Sequence, residues 1–123
     1  MLILSRLIFQ DINIMINCTI GEHIKMLRIE KGLTLTQLGG RIGIDSGALS
    51  KIENGKKFLD EKHIQIIAEV LNLDIDELTE NFLSEKIARE IISCNGRESS
   101  LQLVPEKIKM LQVKMTEQSE MNF

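Results

Sequence analysis

The sequence predicts an all-α protein, with a five-helix domain over residues 18–78 and amphipathic helices over residues 79–115. Hydrophobic residues make up 43% of the 123 residues, and with four Phe and no Trp or Tyr the core must be largely aliphatic. One Pro and eight Gly, among abundant Leu and Ile, favour helices over a sandwich of short strands. Apolar residues recur at helical spacing between capping residues, so each helix can be delimited in turn.

The first helix is predicted to begin after Thr19, which can serve as the N-cap with Glu22 as its capping-box partner. Gly32 is suited to end this helix as a C′ glycine. We expect one apolar stripe on it, formed by Ile20, Ile24, Met26, Leu27 and Ile29.

Three further helices each follow a polar N-cap and precede a residue suited to positive φ. They are predicted over residues 35–42, 46–54 and 61–71. The N-caps are Thr34, Asp45 and Asp60, and the terminating residues are Gly43, Gly55 and Asn72.

A fifth helix is predicted to open at Asp74 and to run to about Ser93, where residues 94–97 interrupt it. A last amphipathic stretch carries Val104, Ile108, Leu111 and Met115 on one stripe. Pro105 is expected in the first turn of that stretch, and the polar tail over residues 116–123 is expected to fray.

Residues 1–17 are apolar but interrupted by polar side chains, so they are too short a run to span a bilayer and lack the marks of a secretory signal. We expect a poorly ordered leader. Met15 is an alternative start, and an extra strand or helix packed on the domain is a further alternative.

The stretch from Leu35 to Asn54 narrows the fold further. Two helices that cross steeply need a small residue at their contact, which Gly39 supplies, and a turn residue that adopts positive φ, which Gly43 supplies. Apolar anchors are available at Leu38, Ile42, Ile44, Leu49 and Ile52. These features together predict a helix-turn-helix.

The segment GLTLTQLGGRIGIDSGALSKIENGKK, from Gly32 to Lys57, resembles the helix-turn-helix regulators of the Cro and phage-repressor type, the xenobiotic-response-element family. The resemblance extends from about Ile20 to Leu78, and its most specific part is SKIENG at residues 50–55. It implies a repressor-like domain that binds double-stranded DNA through its third helix.

The resemblance also implies roles for individual residues. Arg28 and Glu53 lie where the family often has a buried salt bridge, so their role, like that of Gly39 and Gly43, is expected to be structural. The base-facing positions, opposite Leu49 and Ile52, are Ser46, Gly47, Ser50 and Lys51. The positions that commonly meet phosphates are Thr34, Leu35, Asn54, Lys56 and Lys57.

The sequence departs from the family pattern at two positions. Leu35 stands where the family usually has a Gln that braces a phosphate contact, so only the backbone N–H groups there remain to hold a phosphate. Leu59 stands where a proline usually precedes the fourth helix.

The charge is unevenly distributed along the chain. Residues 19–59 contain seven basic and four acidic residues, a net charge of +3, whereas residues 60–123 contain seven basic and thirteen acidic residues, a net charge of −6. Such a chain can present a basic face to phosphates and leave its acidic part in solvent.

These observations favour a cytoplasmic, sequence-specific DNA-binding transcriptional regulator that acts as a homodimer on two half-sites, in a restriction-modification or mobile-element operon. The alternative is an antitoxin-type protein that neutralises a protein partner through residues 79–123. We expect no enzymatic activity, cofactor, metal or membrane association, because the sequence has no catalytic or phosphate-binding motif and its cysteines, Cys18 and Cys94, lie in no metal-ligand spacing.

Overall fold

The computed structural model describes residues 16–121, and over this range the chain is helical with no β-strand. The elements are α1 (Ile20–Glu30), α2 (Leu35–Ile42), α3 (Ser46–Glu53), a 3₁₀ turn (Glu61–His63), α4 (Ile64–Val70), α5 (Ile75–Ser93) and α6 (Glu98–Met121). The all-α fold class is therefore confirmed. The expectations for the leader and for Met15 concern residues outside the described range, apart from Ile16 and Asn17, which are helical.

Local capping sets most helix boundaries. The hydroxyl of Thr19 accepts a hydrogen bond from Glu22 N at 3.0 Å, and Asp60 and Asp74 cap the following elements in the same way. Each residue predicted to end a helix has a positive φ: Gly32, Gly43, Gly55 and Asn72. Two boundaries differ slightly from the prediction, because Asn54 is the C-cap of α3 and the fourth helix begins as a 3₁₀ turn.

The prediction for the last helix was wrong at both ends. Pro105 lies inside α6, seven residues after its start at Glu98, and not in its first turn. A proline removes only one backbone donor, so a helix with enough other hydrogen bonds can continue past it. The expected frayed tail is also helical through Met121, and Thr116 fits into this helix because its hydroxyl donates to the Gln112 carbonyl at 2.8 Å.

The apolar stripe of α1 is narrower than predicted. Ile20 and Ile24 are buried and Leu27 is half-buried, whereas Met26 and Ile29 are exposed by 44% and 58%. At 100° per residue, positions 26 and 29 point away from the face that carries positions 20, 24 and 27.

The chain divides into two compact units between Lys86 and Ile87. The buried hydrophobic core lies in the first of these units. This core extends beyond the predicted domain end at residue 78, because Phe82 is buried and stacks on Phe58 with 5.1 Å between ring centroids. Except for that ring, the buried hydrophobic side chains are aliphatic: Ile20, Ile24, Leu38, Ile42, Ile44, Leu49, Ile52, Leu59, Ile64, Ile67, Ala68, Leu71 and Leu78.

An ion pair joins α1 to α3 as the family resemblance implied. Arg28 Nε and Nη2 donate to the two carboxylate oxygens of Glu53 at 2.8 and 3.0 Å, and Arg28 Nη1 donates to the Leu33 carbonyl at 2.8 Å. The Glu53 side chain is 2% exposed. The hydrogen bonds that Arg28 donates to Glu53 raise the pKa of the Arg28 guanidinium above its ordinary value.

Two glycines allow other helices to approach α3 closely. A Cβ at Gly39 would overlap the carbonyl oxygen of Ile44, in the turn before α3, which confirms the predicted need for a small residue there. A Cβ at Gly21 would overlap the carbonyl oxygen of Ile52, in the last turn of α3. Gly21 was not predicted, although an isolated glycine inside a helix is a signal of such a contact.

A carboxylate from α5 caps α1 at its first residue. Ile20 N donates to Glu85 Oε1 at 2.9 Å, so the carboxylate lies at the positive end of the helix dipole. This contact links residues that lie 65 positions apart in sequence, and no local pattern predicts it.

Glu53→Ala is expected to destabilise the protein by about 3–5 kcal/mol, because it leaves the Arg28 charge without its partner in a largely buried place. Urea unfolding followed by circular dichroism measures this. Glu69→Ala, which removes an exposed helical carboxylate, is the matched control and should change stability little. Equal unfolding midpoints for the two variants would show that the ion pair does not hold the domain together.

The adjacent glycines of α2 should respond in opposite directions to the same substitution. Gly40→Ala adds a methyl group into open space on a helix and should stabilise by about 0.5–1 kcal/mol. Gly39→Ala forces the α2 backbone away from Ile44 and should destabilise by about 1–3 kcal/mol. If both variants are stabilised in thermal unfolding, the close approach at Gly39 is not a constraint.

Candidate nucleic-acid interface

The third helix has one buried face and one exposed face. Leu49, Ile52 and Glu53 are buried, and they fix the side on which α3 contacts the rest of the domain. On the other side, Gly47 and Lys51 are exposed and Ser46 and Ser50 are half-buried. The four positions predicted to face DNA bases therefore lie together on one accessible face of α3.

Asp45 occupies the N-terminal end of α3. Its carboxylate accepts hydrogen bonds from the backbone N–H groups of Gly47 and Ala48 at 3.1 and 3.4 Å. This cap uses donors that an anion would otherwise find at a helix N-terminus, and it adds a negative charge there. The basic residue of α3 itself, Lys51, lies in the last turn, at the other end of the helix.

Three exposed lysines cluster at the C-terminal end of α3. Gly55, with a φ of +75°, turns the chain so that the backbone N–H groups of Lys56 and Lys57 bond to the carbonyl of Lys51, at 2.9 and 3.3 Å. Positive charge is favourable at a helix C-terminus. The turn thus places Lys56 and Lys57 beside the end of the helix that carries Lys51.

The side chain of Asn54 lies within this cluster. Its amide Nδ2 donates to the hydroxyl oxygen of Ser50 at 3.4 Å, so one of the predicted phosphate-facing residues contacts one of the predicted base-facing residues. Sequence alone indicated the helical spacing of Ser50 and Asn54, but not that their side chains bond.

At the start of α2, Thr34 takes part in a reciprocal capping box. Its hydroxyl oxygen accepts from Gln37 N at 3.1 Å, and Gln37 Oε1 accepts from Thr34 N at 2.9 Å. The hydroxyl proton of Thr34 is not used by these two bonds. The Leu35 side chain is half-buried against the core, so at this position only the backbone can face an anion.

The charges around this surface have both signs. Arg41 is exposed in the last turn of α2, and Lys51, Lys56 and Lys57 are exposed at the end of α3, whereas Asp45 is the exposed acid between the two helices. Among the side chains that the structure describes, over residues 16–118, no three or more of His, Cys, Asp or Glu form a cluster that could hold a metal ion.

None of the helices within residues 16–121 is both long enough and apolar enough to cross a membrane.

Comparison with known proteins identifies the same region. The helix-turn-helix family matches residues 24–78. A relative from Bacillus subtilis (strain 168), the SPbeta prophage-derived uncharacterized HTH-type transcriptional regulator YopO, is 40% identical over 58 residues, which are 47% of this chain and 83% of the relative.

Two solved structures show a weaker likeness. The SinR protein/SinI protein complex has a TM-score of 0.45 at 22% identity and covers 77% of this chain and 99% of its own. The clp gene regulator ClgR from Corynebacterium glutamicum has a TM-score of 0.44 at 20% identity, and the match covers 63% of this chain and 90% of the ClgR chain. The family match and the Bacillus relative show that this chain belongs to the helix-turn-helix family of transcriptional regulators of the Cro and phage-repressor type.

Proposed function

We propose that this protein is a sequence-specific DNA-binding regulator that binds a two-half-site operator as a homodimer. The observation that carries the proposal is the division of α3 into two faces. One face is fixed by Leu49, Ile52 and the Glu53 ion pair, and the other is accessible and ends in three lysines. A helix held in this way can enter the major groove of DNA.

The accessible face of α3 would read the bases. Lys51 can donate to the acceptors on the major-groove edge of guanine, and the hydroxyls of Ser46 and Ser50 can donate or accept. Gly47 has no side chain to read with, and it permits close approach of the α3 backbone. Because this set of groups is small, we expect DNA shape and two half-sites to contribute to specificity.

The phosphate contacts would come from two places, the C-terminal end of α3 and the N-terminal end of α2. Lys56 and Lys57 supply charge at its C-terminal end, and Asn54 supplies an amide. At the N-terminal end of α2, the hydroxyl of Thr34 and the backbone N–H of Leu35 are the candidate donors. Contacts of this kind set the register on DNA and make affinity depend on salt.

The DNA-binding domain, predicted over residues 18–78, would extend to Lys86, because Phe82 lies in its core and Glu85 caps α1. The remainder of the predicted range 79–115 would serve dimerisation. One short recognition helix gives limited affinity, so two copies on two half-sites are expected. The prophage origin stated in the name of the Bacillus relative supports a role in a mobile-element operon.

Removing single lysines should test the phosphate contacts. Lys56→Ala and Lys57→Ala should each reduce the slope of log affinity against log salt by about 1, because each releases about one fewer counterion. Fluorescence anisotropy with DNA from upstream of the protein's own gene measures the slope. Lys109→Ala, an exposed lysine on α6, is the control and should leave the slope unchanged. If the wild-type protein does not bind DNA even at low salt, the proposed function is wrong.

Lys51→Ala should instead change base preference. Loss of its contact should cost about 1–3 kcal/mol at one base pair of the operator and relax discrimination there. Competition between single-base variants of the operator measures this. Lys56→Ala should weaken binding to all these variants about equally. An unchanged preference in Lys51→Ala would remove this residue from the base-reading face.

A further inference from the structure

Within the surface proposed to face DNA, one side-chain contact joins a base-facing residue to a phosphate-facing residue. The amide Nδ2 of Asn54 donates to the hydroxyl oxygen of Ser50 at 3.4 Å. The backbone N–H of Asn54 also donates to the carbonyl of Ser50, at 3.0 Å. The backbone bond holds Asn54 one helical turn from Ser50, and the side-chain bond connects their polar groups.

The direction of the side-chain bond decides what Ser50 can offer to DNA. A serine hydroxyl has one proton to donate and two lone pairs with which to accept. The Asn54 amide occupies one lone pair and leaves the proton free, and within residues 16–118 the Ser50 side chain makes no other hydrogen bond. A hydroxyl oxygen that accepts a hydrogen bond is polarised and becomes a stronger donor. Ser50 is therefore prepared to donate.

The same orientation of the Asn54 amide suits a phosphate. The Nδ2 atom carries two hydrogens, and Ser50 takes one of them. Asn54 is exposed, like Lys56 and Lys57 just after it, so the second hydrogen can reach an acceptor outside the protein. A phosphate oxygen accepts and does not donate, so Asn54 must face it with the nitrogen and not with the carbonyl oxygen. The contact with phosphate and the contact with Ser50 thus require one and the same amide orientation.

We propose that Asn54 is a positioning residue that holds Ser50 as a hydrogen-bond donor, so that Ser50 selects a base with an acceptor in the major groove. This deepens the proposed function and rests on it, because Ser50 must face the bases. Guanine and thymine present carbonyl oxygens there, cytosine presents only an amino group, and adenine presents one group of each kind. At the base that Ser50 contacts, guanine and thymine are therefore preferred over cytosine, with adenine between them.

Replacing the amide with a carboxylate should reverse this preference. Asn54→Asp keeps the shape of the side chain, but an ionised carboxylate only accepts, so it takes the Ser50 proton and leaves Ser50 with lone pairs alone. Adenine and cytosine should then gain on guanine and thymine by about 3-fold to 10-fold, which is the value of one hydrogen bond. Competition between operator variants, with the full chain, measures the ranking. Ser50→Ala identifies the position, as the one where the wild-type preference is lost.

Two further variants separate the effect on Ser50 from the added negative charge. Lys56→Gln lowers the net charge by one, as Asn54→Asp does, and should weaken binding to all operator variants without changing their ranking. In the double variant Ser50→Ala with Asn54→Asp, the ranking should equal that of Ser50→Ala alone. Each ranking compares DNA variants bound by the same folded protein, so a modest change in stability does not alter it.

The contact itself can be measured without DNA. In NMR spectra of the free full chain, Ser50→Ala should shift the resonances of the Asn54 side-chain amide. Ser46→Ala, at the other end of α3, is the control and should leave them in place. Equal spectra of this amide in the wild type and in Ser50→Ala would contradict the contact.

The role of Asn54 and the proposed function can fail separately. A protein that binds its operator but keeps the wild-type ranking in Asn54→Asp would overturn the role of Asn54 and leave the proposed function in place. The same holds if Ser50→Ala loses no preference at any position. A wild-type protein that binds no DNA at low salt would overturn the proposed function, and this role with it, even if the amide contact is present.

Discussion

The buried ion pair between Arg28 and Glu53 is the contact on which the arrangement of the DNA-binding domain depends. Glu53 is the last residue of α3, and Arg28 lies in α1 and also donates to the carbonyl of Leu33 in the loop before α2. One guanidinium therefore fixes the end of α3, the first helix and the intervening loop relative to one another. Because both charges are largely shielded from water, removing either partner costs far more than the loss of an exposed salt bridge would.

Close backbone contacts complete what the ion pair begins. Gly39 lets α2 approach the turn before α3, and Gly21 lets α1 approach the last turn of α3. Backbone contacts hold the ends of α3, and Leu49 and Ile52 hold its inner face. The side chains on its outer face are therefore not needed to keep the helix in place. Those side chains are small or flexible, so the surface can lie close to DNA, but it carries few groups with which to discriminate bases.

The parts of the fold and of the candidate site that could be predicted from the sequence are those set by local interactions. The caps at Thr34 and Asp45 and the turn at Gly43 depend only on neighbouring residues, so the bounds of α2 and α3, and hence the face shared by the base-facing positions, followed from sequence. Contacts between residues that lie far apart in sequence could not be predicted in this way. Neither the close approach at Gly21 nor the cap from Glu85 was predicted. The prediction for Pro105 was wrong because a proline removes only one backbone donor, so α6 continues through it on its other hydrogen bonds. The roles assigned to the base-facing and phosphate-facing residues stay predictions.

Whether α3 reads DNA can be measured by selection from a random double-stranded DNA library with the full chain. If α3 reads DNA, the selection should enrich a motif with two related half-sites whose centres lie about 10 base pairs, or a multiple of this, apart. The same selection with Lys51→Ala should yield a motif that is relaxed at one position in each half-site. A sequence pool that stays indistinguishable from the starting library at low salt would show that α3 does not read DNA.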